Sequence, residues 1–374
     1  MDKTAALRAR LGGFMKGVCH PDKDYGRLTG AGFGWVRRDV PFPLDEAGEV
    51  SAAHRAFLAS TEAYAKNGLR CVLITPYAFD FVAHGIDPRT PEGLRQTEEL
   101  CAFLARAFKA CRPCWQATNE QFNPHFRAPL TAEESRDFII ACLRGLRAGD
   151  PDAVIGHNSV QDGGQWDEFV RQIDAACDCD YTGLDLYNGS WTGGGPETYV
   201  EKIREVWALC QKPVILMEFG FASAGCNASP DFHEAYDYIR EKGFRDLEDI
   251  FARSGEYIET LPGEPLKRMA RSCAPQDVPQ QLYNSFPHVM KMWFAPQVFP
   301  HTEDGQAQFY EELLPLLPDC PYLAGAVLYC WQDAPYCGYC GAVDCPCETA
   351  WGLIKTDGTP KKAYAAVQRF FAEP

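Results

Sequence analysis

Short apolar runs alternate with longer amphipathic stretches along almost the whole chain. The runs fall at Gly13–Cys19, Phe33–Arg38, Leu69–Thr75, Pro113–Asn119, Ala153–Asn158, Asp180–Tyr187, Pro213–Phe219 and Leu323–Cys330. Their length and continuity predict buried strands. Between them, Ala52–Asn67, Pro91–Cys111, Ala132–Gly149, Trp166–Ala176, Pro196–Cys210, Gly305–Leu317 and Lys361–Phe370 carry apolar residues three and four apart, the period of helices with one buried face. Only Lys23–Leu28, between the first two strands, is short and weak. Boundary residues agree with this reading. Thr131, followed by Glu133 and Glu134, is placed to cap a helix that Gly149-Asp150-Pro151 ends, and Gly68 after Asn67 stops another. Eight strands separated by helices predict an α/β fold in which residues 1–374 form one closed parallel (β/α)8 barrel.

One interval breaks the rhythm. Between Phe221 and His301 lie about eighty residues where a connection normally needs a handful. Residues 222–300 contain helical stretches (Phe232–Lys242, Asp246–Arg253) and an aromatic end, Met292-Trp293-Phe294. Because the segment follows the seventh strand, it belongs over the carboxyl-terminal face of the barrel. It is either a lid that touches a ligand or a packed insertion that does not.

Composition narrows the class. An apolar fraction of 46% with 23% charged residues fits a soluble globular protein with a sizeable core. A formal charge of −15 argues against nucleic acid or an anionic membrane surface as partner. The opening Met1-Asp2-Lys3-Thr4-Ala5-Ala6-Leu7 lacks the apolar stretch of a secretory signal, and no run is long enough to span a bilayer. There are 17 cysteines, many of them, such as Cys71, Cys101 and Cys142, inside apolar patterns where a free thiol packs as a small hydrophobe. A reducing, cytoplasmic setting is the expectation. Oligomeric state is not legible.

Two glutamates carry the candidate chemistry. Glu120 closes Cys114-Trp115-Gln116-Ala117-Thr118-Asn119-Glu120, and Glu218 closes Lys212-Pro213-Val214-Ile215-Leu216-Met217-Glu218. Each sits where a buried strand gives way to a loop, and strand ends of this kind face the site in α/β barrels. A lone glutamate there is ordinarily a solvated charge, but two at matched strand ends suggest paired acid chemistry.

These residues resemble a family. An Asn-Glu pair ending strand four (Asn119-Glu120) and a lone Glu ending strand seven (Glu218) are similar to the pattern of the clan A retaining β-glycosidases, (β/α)8 barrels that include cellulases, mannanases, β-glucosidases and β-xylosidases. Gly34-Trp35-Val36-Arg37-Arg38-Asp39 resembles their second strand and Leu323–Trp331 their eighth. Trp351-Gly352-Leu353 through Asp357-Gly358-Thr359-Pro360-Lys361-Lys362-Ala363-Tyr364 resembles the closing helix region. Only residues 222–300 fall outside the likeness.

The resemblance implies Glu218 as nucleophile and Glu120 as acid/base, the pair needed to hydrolyse a β-glycoside with retention. It also implies that Asn119 binds the sugar 2-hydroxyl, that Arg37 orients Glu218 while Arg38 points to the opposite strand face, and that Tyr187 donates to Glu218. Trp331 would form an apolar floor under the sugar. For each, the competing reading is an ordinary satisfied barrel residue. His20 and His157 stand near strand ends, and His20 is carried as a possible sugar contact. Trp166, Trp191 and Trp293 fall in expected top-face loops. Strand three departs from the family, which keeps a polar His or Asn where this chain has Thr75-Pro76-Tyr77.

The loop 332–350 holds a second pattern. Cys337, Cys340, Cys345 and Cys347 place four thiols in eleven residues as CxxC and CxC. They could wrap one tetrahedral zinc ion in a structural role, although the spacing is shorter than in common zinc ribbons. Free thiols and disulfides are the alternatives. The expectation is therefore a hydrolase of short β-linked oligosaccharides or glycosides, needing no catalytic cofactor. The alternatives are an endo-β-mannanase or β-glucanase, a carbohydrate-binding barrel without catalysis, and a metal-dependent hydrolase using the cysteine loop.

Overall fold

Eight strands pair in chain order, each parallel to the next, and the last closes on the first. In this computed structural model they are β1 (Met15–Cys19), β2 (Trp35–Asp39), β3 (Arg70–Ile74), β4 (Cys114–Ala117), β5 (Val154–Val160), β6 (Tyr181–Leu186), β7 (Val214–Phe219) and β8 (Leu323–Leu328). The structure describes residues 2–160, 165–225, 237, 239–272 and 298–372. The expected (β/α)8 barrel is present, with helices between successive strands. Among the described residues no helix is long and apolar enough to cross a membrane.

Local sequence explains the helix ends. Thr131 and Glu134 form a reciprocal capping box at Ala132–Gly149. Ser51 and Thr90 cap Ala52–Lys66 and Pro91–Phe108. Gly68 adopts φ +79°, a left-handed conformation open to glycine without a Cβ clash.

Strand alternation then divides the core in two. Outward residues such as Val36, Leu73, Trp115, Leu216 and Leu328 pack under the helices. Inward residues such as Met15, Trp35, Val72, Tyr181 and Ile215 fill the barrel. Tyr181 needs room there: a Cβ on Gly156 would lie 2.6 Å from its ring. Arg38 turns outward as expected, its guanidinium 4.1 Å from the Phe57 ring centroid.

One element was not expected. Helix Lys3–Leu11 buries Leu7 and Leu11 with the barrel-filling residues. Arg8 anchors it by donating to the carbonyls of Leu323, Pro318 and Cys320. It therefore seals the amino-terminal end of the barrel.

The interval after β7 leaves and returns at one place. Phe221 stacks on His301 at 4.5 Å, and His301 Nδ1 lies 2.9 Å from the Ala222 carbonyl. Within it run helices Leu247–Ala252, Ser254–Thr260 and Glu264–Ser272, the first of which matches the expected Asp246–Arg253. Most of the expected Phe232–Lys242 helix, and Met292-Trp293-Phe294, lie outside the described residues.

Candidate active site

Arg37 is the centre of the carboxyl-terminal face. It leaves β2 pointing inward and is buried. Its Nη1 donates to Glu218 Oε1 at 2.6 Å, its Nε to Gln116 Oε1 at 2.9 Å, and its Nη2 to Asn119 Oδ1. Burial is the largest single influence and weakens its charge, but the combined attraction of Glu218 and the acidic groups around it outweighs burial and holds its pKa well up. The Tyr187 hydroxyl donates to the other oxygen of Glu218. Both carboxylate oxygens of Glu218 are thus held.

Glu218 reaches this position through a β-bulge. Leu184 pairs with Leu216 but Asp185 pairs with Glu218, so Met217 is an extra residue on β7. Strict alternation would send Glu218 outward after the inward Met217. The bulge re-aims it into the barrel mouth. Glu120 arrives by another distortion. Thr118 and Glu120 have φ of +56° and +42°, a left-handed region that typically costs about 1–3 kcal/mol for a non-glycine residue. The bend is held by Thr118 N–H donating to Thr75 Oγ1 at 2.9 Å and Glu120 N–H to Asn158 Oδ1 at 3.1 Å.

A third carboxyl group lies between them. One carboxylate oxygen each of Glu120, Asp185 and Glu218 lie within 4.8 Å of one another, all buried. Asn158 donates to Asp185 Oδ2 at 2.6 Å, and among the described residues Asp185 Oδ1 meets no donor. Its neighbour is the Glu120 carboxyl, so a proton shared between the two satisfies both. The electrostatics agree. Burial first, and then the charge of Glu218, pushes Glu120 up to about 7. Burial, Glu218 and Glu120 in turn push Asp185 well above the usual carboxylate range. The face can therefore hold a proton on Glu120 or Asp185 beside a carboxylate on Glu218.

Glu120, Glu218, Arg37, Asn119 and Tyr187 are brought together as their positions implied. His20 stands at the rim, exposed but edge-on to Tyr329 at 5.2 Å, and partial desolvation lowers its pKa. Trp331 is not brought there. It is fully buried under the helices, against Phe33 and Tyr364. The strand ends at Leu328, and past it the alternation lapses: Cys330 stays with the inward core and Trp331 turns outward. The aromatic wall is built instead from Tyr329, Trp351 and Tyr187, with ring centroids 5.2–6.1 Å apart, and Trp191 stacks on Trp351 at 6.3 Å. Trp166 and His157 are buried away from the face, and Trp293 lies outside the described residues.

Sequence reasoning missed Gln116, Asn158, Asp185 and Tyr329. Asp185 carried a signal, because it lies two residues before Tyr187 and so shares its inward face. The others carried none beyond polarity near a strand end. A cleft of about 560 Å³ is lined by His125, Pro129, Phe79, Arg268, Met269, Tyr339 and Glu348, and Tyr339 within it feels the charge of Glu120.

The barrel shares its fold with solved glycoside hydrolases. Among solved structures it is similar to the family 53 glycoside hydrolase catalytic domain of Ignisphaera aggregans (TM-score 0.57, 14% identity, 96% of each chain covered). It is also similar to a family 5 glycoside hydrolase variant of Streptomyces cattleya in complex with Manβ1-4GlcNAc (TM-score 0.58, 17% identity, covering 99% of this chain and 75% of that one). A Bacteroides uniformis β-glucuronidase shares the barrel at TM-score 0.54 and 15% identity; the alignment covers 95% of this chain, which spans only 34% of that longer protein. No known family model matches the sequence, and no curated protein matches it either.

Proposed function

We propose that this chain is a retaining glycoside hydrolase that cleaves β-linked oligosaccharides or β-glycosides by double displacement. The observation that carries the reading is the approach of Glu120 and Glu218, with oxygens within 4.8 Å. That spacing is close to the ~5–5.5 Å of retaining pairs and short of the ~6.5–9.5 Å that inversion needs to admit a water. Glu218, its oxygens aligned by Arg37 and Tyr187, attacks the anomeric carbon. As the bond to the leaving oxygen breaks, Glu120 gives that oxygen its proton. Glu120 then takes a proton from water, whose oxygen displaces Glu218 from the anomeric carbon.

Asn119 Oδ1 accepts from Arg37, Gln116 and Asn158, which turns its NH2 away from the network and toward a sugar 2-hydroxyl. Tyr329, backed by the buried Trp351, takes the place expected of Trp331. The helices after β7 roof one side of the face, which favours short substrates cut from an end. Cys101 and Cys142, buried neighbours that stay free, support a reducing, cytoplasmic setting. Catalysis needs no cofactor in this scheme.

A panel of aryl β-glycosides tests the proposal. Glu218→Ala should abolish turnover, and added azide should restore it with an α-glycosyl azide as product. Full activity in both Glu120→Ala and Glu218→Ala, or a first-formed product of inverted configuration, would overturn it. Release of long internal fragments from mannan or glucan would replace end-cutting with endo action.

A further inference from the structure

The cysteine loop after β8 plays no part in the chemistry above, yet it is folded as a closed knot. Gly341 N–H donates to the Cys337 carbonyl at 2.8 Å and Cys337 N–H to the Ala342 carbonyl at 2.9 Å, with Gly341 at φ +76° making the turn. Cys345 then opens the short helix Pro346–Thr349. The result brings one sulfur each of Cys337, Cys340 and Cys345 within 4.8 Å of one another. Cys347 adjoins them, in hydrogen-bond contact with Cys345. All four are buried. Sulfur atoms around a tetrahedral zinc at ~2.3 Å sit roughly 3.8 Å apart, so little movement separates this cluster from a ligand shell.

The neighbours give the cluster a mechanical purpose. These cysteines form one apolar core with Phe244, Tyr257, Leu261, Leu266 and Met269, which belong to the segment inserted after β7. Leu266 N–H donates to the Tyr339 carbonyl at 3.1 Å, and a Cβ on Gly263 would lie 2.8 Å from that same carbonyl. A core this small, built from short helices and a loop, lacks the apolar area to hold itself firmly and calls for a staple. The loop it fixes carries Tyr339, whose hydroxyl lies 3.2 Å from His125 Nε2, and Glu348; both line the 560 Å³ cleft.

We propose that Cys337, Cys340, Cys345 and Cys347 bind one structural zinc ion, which fastens the loop after β8 to the helices Ser254–Thr260 and Glu264–Ser272. The ion sets the cleft wall and has no open position for catalysis. Its existence does not depend on the hydrolytic reading, and neither does its test. Protein produced under reducing conditions should contain one zinc per chain by elemental analysis. A thiol reagent should release it as these cysteines are modified, and the released zinc should coincide with new proteolytic cleavage in the loop. Replacement by cobalt should give the sulfur-to-metal charge-transfer absorption of a tetrahedral thiolate site. Cys345→Ser should lose most of the metal, and if that variant fails to fold, reagent-driven release from the unaltered protein reads the same property. Full-length protein with no stoichiometric metal and all four thiols titratable, or with a disulfide among them, would overturn the proposal.

Discussion

The two ends of the barrel are made from the same eight strands and built to opposite rules. At the amino-terminal end, Met15, Trp35, Val72 and Tyr181 fill the interior and helix Lys3–Leu11 closes it with Leu7 and Leu11. At the carboxyl-terminal end, Arg37 and three carboxyl groups are buried together, and His20, Thr118 and Glu120 have positive φ. One end fills itself with apolar side chains and the other gathers buried charge; left-handed residues occur at both, since Arg112 and Gln211 also have positive φ just before β4 and β7. Stability and chemistry are thus separated along the barrel axis, and substitutions at the two ends should fail differently.

The largest separation is expected from Glu120→Ala. It should lower kcat by about 10²- to 10⁴-fold on glycosides with poor leaving groups, the usual contribution of a general acid, and much less on activated aryl leaving groups. Thermal unfolding should change little. A comparable loss with every leaving group would show that Glu120 acts other than as a proton donor. Arg37→Met should damage both properties, because it strands Glu218 without its partner. Removing one member of a buried ion pair typically costs about 3–5 kcal/mol, readable in denaturant titration, and kcat should fall as well.

Leu11→Ala probes the opposite end. A buried leucine truncated to alanine loses about 2–5 kcal/mol, so the unfolding midpoint should drop while kcat at low temperature stays at the parent value. A fall in kcat without loss of stability would erase the division. Smaller effects follow from the shared proton. In the proposed mechanism Glu120 must be protonated to act, so kcat/KM should fall as pH rises through about 7. The Asp185 hydrogen bond lowers the proton affinity of Glu120; Asp185→Ala should therefore move this limb to higher pH, and Asp185→Asn, which keeps a donor, should move it less. Finally, a carboxyl group with a raised folded-state pKa stabilises fully at low pH and loses that contribution as pH rises through the folded value. Glu120→Gln should accordingly raise the melting temperature above pH 7 and leave it unchanged near pH 4.

Much of this division was readable from residue order. The buried strands announce themselves as apolar runs, and eight of them with intervening helices permit few topologies. Arg37 and Tyr187 were legible because they stand at inward positions of predicted strands. The failures have local causes. Glu218 itself was named, but the bulge at Met217 that turns it inward was not, since a single inserted residue leaves no trace in an apolar run. Trp331 was misplaced because alternation was carried past Leu328, where the strand stops. Asp185 was overlooked because a carboxylate inside a strand reads as polarity rather than as a partner for a glutamate two strands away. Helix Lys3–Leu11 buries only Thr4, Leu7 and Leu11, too few positions to register as a periodic face.

The stacking of Phe221 on His301 brings the chain back to its point of departure after the long excursion that follows β7. A segment hinged on adjoining ends can be exchanged like a cartridge, since shortening or replacing it asks no strand to shift. Under the proposed function, the choice of substrate and the chemistry of cleavage would then be able to change on separate evolutionary clocks, with new roofs tried over an unaltered hearth.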